Sequence, residues 1–175
     1  MSNISIGNMT LGIYQTNCYF VYREDSDKVL VFDPADHGKK IEAALGHHGL
    51  HTVAIFLTHG HFDHILAVPE LSRSFHVPVY ASAVEDAMLA DTSLNLSGTC
   101  DSEPTSFHAD ELLRDGQEFT LLGLNWKLIA TPGHTAGSAC RGCSSASGPA
   151  PQPAYRPPAF SSSSARRPFA VNRTA

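Results

Sequence analysis

The chain has no run of about eighteen apolar residues, the length that a membrane-spanning helix requires. Its first residues, Met1-Ser2-Asn3-Ile4, lack the basic stretch and apolar core of a secretory signal, so the expected compartment is the cytoplasm. Positive charge is not in excess. The formal net charge of −5 argues against a nucleic-acid binder working through a broad basic patch. Cysteine is scarce, with four in 175 residues, and Cys18, Cys100, Cys140 and Cys143 make no disulfide framework in a chain this long. Cys140-Arg141-Gly142-Cys143 has no second CxxC with which to complete a four-cysteine zinc set. Acidic residues and histidines also run out early: Glu118 is the last acidic residue and His134 the last histidine.

What is present falls into two unlike parts. Residues 1–139 read as one folded α/β domain. Ile13–Val21 and Lys28–Phe32 are β-rich and are separated by the turn-like Glu24-Asp25-Ser26-Asp27. Gly38–His48 places Ile41, Ala44 and Leu45 at helical spacing. Thr52–Leu57 is a short apolar run of the kind found in a strand buried on both faces. Ile65–Phe75 reads as mainly helix, with Pro69 near its start or kinking it. Val77–Ala81 reads as a strand, Ala83–Leu89 as a helix and the polar stretch 91–110 as a long loop. Glu118–Leu122 and Leu124–Ala130 read as a hairpin. Residues 140–175 are dominated by Ser, Ala, Pro and Arg. They have the composition of a disordered tail or of a coding sequence read out of frame.

The chemistry is concentrated in Thr58-His59-Gly60-His61-Phe62-Asp63-His64, directly after an apolar strand. Alternate side chains of an extended segment point the same way, so His59 and His61 can reach one ion together. Gly60 keeps the backbone between them uncrowded. Asp63 and His64 fall where the chain turns into the next helix and can face a second ion. His134, on the tight loop Thr131-Pro132-Gly133-His134, would close the first site as a third imidazole. Three neutral histidines and a water form a catalytic zinc arrangement, in which the ion makes hydroxide available at neutral pH. Asp63 is the natural group to orient that water or accept its proton. Asp33, ending a buried strand, is placed to orient a metal ligand without touching the ion. His47, His48 and His51 lie around a helix end and a glycine turn and read as solvent-facing.

In the order Gln15-Thr16-Asn17-Cys18-Tyr19, Val31-Phe32-Asp33-Pro34, Leu57 to His64 and Thr131 to Ser138, the chain resembles the metallo-β-lactamase-fold hydrolases. Within them it is most similar to the short glyoxalase II-like (hydroxyacylglutathione hydrolase-like) group. Asn95-Leu96-Ser97 also resembles the stretch between the motifs in that group. The resemblance covers residues 4–139 and implies an α/β, four-layer αββα sandwich whose C-terminal part is incomplete. It implies a metal-dependent hydrolase of small-molecule thioesters or related esters, with no nucleic-acid or membrane partner. His59, His61 and His134 would hold metal one, and Asp63 and His64 would contribute to metal two. One or two Zn2+ ions are expected, with iron or manganese compatible with the same donors. Some relatives of the group oxidise persulfides on a single iron, so a mononuclear iron persulfide dioxygenase is a further reading that the resemblance allows. The family's bridging aspartate and last histidine have no counterpart after His134, which brings in a second reading: a non-enzymatic derivative that binds at most one metal.

Overall fold

The computed structural model describes residues 3–100 and 103–145. They build a six-stranded sheet in the order β1-β2-β3-β4-β5-β6 and a three-stranded sheet in the order β7-β8-β9. The first sheet comprises β1 (Ile4–Leu11), β2 (Thr16–Arg23), β3 (Lys28–Phe32), β4 (His51–Phe56), β5 (Val79–Ser82) and β6 (Glu111–Leu113). β1, β2 and β3 pair antiparallel, and β3 to β6 pair parallel. Parallel neighbours need crossovers. Helix α1 (Gly38–His47) connects β3 to β4, and α2 (Phe62–Ile65) and α3 (Val68–Phe75) connect β4 to β5. Between β5 and β6 lie α4 (Asp86–Leu89) and the 3₁₀ turn Ser97–Thr99. The second sheet is antiparallel: β7 (Glu118–Leu121), β8 (Leu124–Ala130) and β9 (Ala139–Ser145).

Two apolar cores hold these layers. On one face of the large sheet, Phe20, Val29, Val31, Ile55, Leu57 and Ala81 pack with Ile41, Leu45, Val68 and Leu71 from the helices. On the other face, Val21, Leu30, Ala54, Phe56 and Tyr80 meet Leu124, Trp126 and Leu128 of the small sheet. Strand alternation sends neighbouring residues of β4 into different cores, so the strand reads as one continuous apolar run. The described residues therefore form three layers of the expected sandwich: helices, large sheet and small sheet.

The structure differs from the sequence reading at several boundaries. β1 and the three-residue β6 are strands that the reading did not assign. The expected helix at Ile65–Phe75 is two helices, with Pro69 in the first turn of α3, where its missing N–H costs no helical bond. The expected boundary between domain and tail at 139 is also passed. β9 continues to Ser145, because each of its residues pairs with β8, from Ala139 with Ala130 to Ser145 with Leu124. Sheet pairing here overrides a composition that favours disorder. The rest of the expected tail, 146–175, lies outside the described residues. Cys140 and Cys143 are free thiols three apart on β9, so they point to opposite faces and do not converge on one ligand.

Candidate metal centre

Ligands in open α/β sheets gather beyond the carboxyl ends of the strands. Here that position, just past β4, carries His59 and His61, with α2 opening at Phe62. His134 comes from the loop that joins β8 to β9 in the other sheet. The two loops are tied by their backbones, since Ala139 N donates to Thr58 O at 2.9 Å. One ligand atom each from His59, His61 and His134 lies within 4.8 Å of the others. His61 Nδ1 and His134 Nε2 approach to 2.9 Å.

His59 is buried, and its Nε2 has no hydrogen-bond partner among the described residues. Its tautomer follows from a relay. Thr58 Oγ1 donates its proton to Asp33 Oδ2 at 2.7 Å, so it can only accept from His59 Nδ1, 3.1 Å away. Nδ1 therefore carries the proton and Nε2 presents a bare lone pair. Asp33 also accepts the Thr58 amide at 2.8 Å and sits at φ 48°, a left-handed conformation that aspartate tolerates better than most residues. Burial, aided by the neighbouring His64, lowers the His59 pKa to about 4. Burial and the nearby His134 also lower that of His61. Neutral imidazoles are the form that binds metal. An orphaned, buried nitrogen among converging imidazoles is a donor set that fits zinc or a similar ion.

Asp63 and His64 lie beside the triad. Asp63 Oδ2 accepts the Thr16 hydroxyl at 2.9 Å and lies 3.6 Å from His64 Nε2. His64 Nδ1 is 3.2 Å from Asp33 Oδ2. Burial opposes the charge on His64, but the close Asp33 carboxylate, with Asp63 adding to it, outweighs burial and raises its pKa. Among the described residues, the triad is the one group of three or more such donors close enough to hold an ion. His47 and His51 are exposed and stand away from the site.

The sequence reading missed Glu85, a buried acid whose carboxylate bonds both histidine loops. Thr16, which positions Asp63, enters that reading only through the family resemblance. For Glu85 the sequence offers no signal beyond an acid at a helix start. Asn95 was noted only through the resemblance. Its side chain is fully buried and bonds Thr105 O and Ser97 N, while its carbonyl accepts the Phe62 amide next to His61.

Residues 11–146 match the model of the metallo-β-lactamase superfamily. The chain is 40% identical over 131 residues to the probable metallo-hydrolase YqgX of Bacillus subtilis (strain 168), covering 74% of this chain and 61% of that protein. It is 31% identical over 128 residues to a hydroxyacylglutathione hydrolase of Salmonella typhi, covering 73% of this chain and 43% of that one. The crystal structure of the BLEG-1 B3 metallo-β-lactamase superposes with a TM-score of 0.73 at 34% identity, covering 78% of this chain and 66% of that one. The chain thus spans less than two thirds of the length of either curated relative. A family match reaching from the last residue of β1 to just past the end of β9 decides the assignment: this chain belongs to the metallo-β-lactamase superfamily.

Proposed function

We propose that this chain is a metal-dependent hydrolase of the glyoxalase II-like type, acting on a thioester or related ester carbonyl. The observation that carries the reading is His59 Nε2, a buried and unpartnered nitrogen converging with the nitrogens of His61 and His134. The name of the Salmonella relative supports a thioester of glutathione as the substrate class. When bound, a zinc, iron or manganese ion supplies hydroxide at neutral pH and polarises the carbonyl. His59, His61 and His134 would hold that ion. Asp33, acting through Thr58, keeps His59 in the ligating tautomer. Asp63, with Oδ2 fixed by Thr16, orients the attacking water and takes up its proton. A cavity of about 380 Å³ opens beside Asp63, lined in part by Leu11, Tyr14, Phe62 and Leu66, and suits the acyl part of a small substrate.

The test is zinc loading of the full chain followed by assay with S-lactoylglutathione. Loss of the thioester is expected, and His61→Ala and His134→Ala are each expected to abolish it. A chain that takes up one ion and leaves the thioester intact would instead be a non-enzymatic single-metal binder. One observation favours that second reading: no third donor joins Asp63 and His64 in a metal-holding group among the described residues.

A further inference from the structure

One buried acid touches both ligand loops without being a ligand. Glu85 is 2% exposed and opens α4, with its amide bonded to Ser82 O and its carbonyl accepting the Leu89 amide. Its Oε2 accepts the amide of Gly60, between His59 and His61, at 2.8 Å. Its Oε1 accepts the Gly137 amide at 2.7 Å and the Thr135 hydroxyl at 2.8 Å, on the loop that carries His134. Both loops close tightly on this corner. A Cβ at Gly137 would lie 2.7–2.8 Å from Glu85 atoms, and a Cβ at Gly60 would lie 3.1–3.2 Å from Met88 and Leu89 of α4. Three donors from two loops therefore converge on one carboxylate, and charge-assisted bonds of this kind are the strong ones.

We propose that Glu85 is a positioning residue that sets the spacing of His61 and His134 by bonding both ligand loops through one carboxylate. The inference rests on the reading of the triad as a metal site. Glutamine at this position keeps the shape but turns one acceptor into a donor, which then faces an N–H or O–H. One loop must retreat, and the imidazole it carries goes with it.

The test is Co2+ titration of the metal-free full chain, read as Kd and as the visible absorption spectrum, with the thermal midpoint of the metal-free protein measured in parallel. Glu85→Gln is expected to weaken Co2+ binding by about 10- to 100-fold, the usual cost of losing a partner behind the ligands, and to alter the spectrum. Ile41→Val, in the helical core away from both loops, is expected to lower the midpoint and leave Kd and spectrum unchanged. Thr135→Val is nearly isosteric and removes one of the three bonds to Glu85, together with the 2.7 Å bond of the same hydroxyl with Ser138 Oγ, which Ser138→Ala removes without the Glu85 bond, as the control. It is expected to weaken binding less, and it decides the matter if Glu85→Gln does not fold. Variants at 85 and 135 that bind with the wild-type Kd and spectrum overturn the inference, whatever their midpoints. A wild-type chain that takes up no Co2+ overturns the metal reading itself, and this inference with it.

Discussion

Burial and the fields of neighbouring side chains push His59 and His64 in opposite directions. His59, lowered to about 4, stays neutral in the folded chain at a pH where the unfolded chain binds a proton. Its contribution to stability is therefore complete above the ordinary histidine value near 6.5 and is lost as pH falls from there towards 4. His61, also lowered, adds to the same acid loss. His64, raised by Asp33, contributes below about 6.5 and loses that contribution as pH rises through its folded value. The expected outcome is a urea midpoint of the metal-free chain that drops between pH 6.5 and 4.5, with a smaller drop in His59→Ala. An equal drop in wild type and variant would remove His59 from the linkage. At this scale the candidate donors were legible because four of the five expected side chains fall between positions 59 and 64, and no solvated loop needs that order; the structure brings His59, His61 and His134 into one group. Glu85 was not legible, because its partners lie at Gly60, Thr135 and Gly137 and only folding brings them together.

Among the elements, β4 does most to place the site, and it was also among the easiest to read. Its apolar run fills both cores and then delivers His59 at its end. Phe56 is the centre of the inter-sheet core, stacking at 4.7 Å on Tyr80, 5.1 Å on Phe32, 5.7 Å on Phe119 and 6.2 Å on Trp126. Truncation to alanine leaves a cavity that these rings cannot close, so Phe56→Ala is expected to cost about 3–5 kcal/mol of unfolding free energy. Urea denaturation measures it, and a loss under about 1 kcal/mol would mean that the sheets collapse onto the gap. The elements that escaped the sequence reading did so for physical reasons. β1 breaks its alternation at Gly7-Asn8 and leaves Ile4 and Ile6 exposed. β6 has three residues, too few to show a period. β9 owes its form to its ladder with β8 rather than to β-branched or large apolar side chains.

Across the whole molecule, the two cores are covered unequally. The small sheet lies over β3 to β5, where Trp126 meets Phe32 at 5.9 Å and Phe119 meets Tyr80 at 5.9 Å. The guanidinium of Arg141 is also inserted there, although the residue as a whole is only half-buried. Its head lies 4.6 Å from the Phe56 ring, Nη1 donates to Leu57 O at 2.9 Å, and burial lowers its pKa to about 10. Among the described residues nothing covers the same face of β1 and β2: Ile6 pairs with the core residue Val21, and Tyr19 with Phe32, yet Ile6 is 56% and Tyr19 43% exposed. Apolar surface beside an edge strand of the large sheet is prone to association. The expected consequence is native-state binding of a hydrophobic dye such as ANS, substantially reduced by Ile6→Lys with little loss of stability, since the side chain it replaces is mostly in water. If wild type binds no dye at neutral pH, this face is covered in solution, and Ile6→Lys should then destabilise the fold instead.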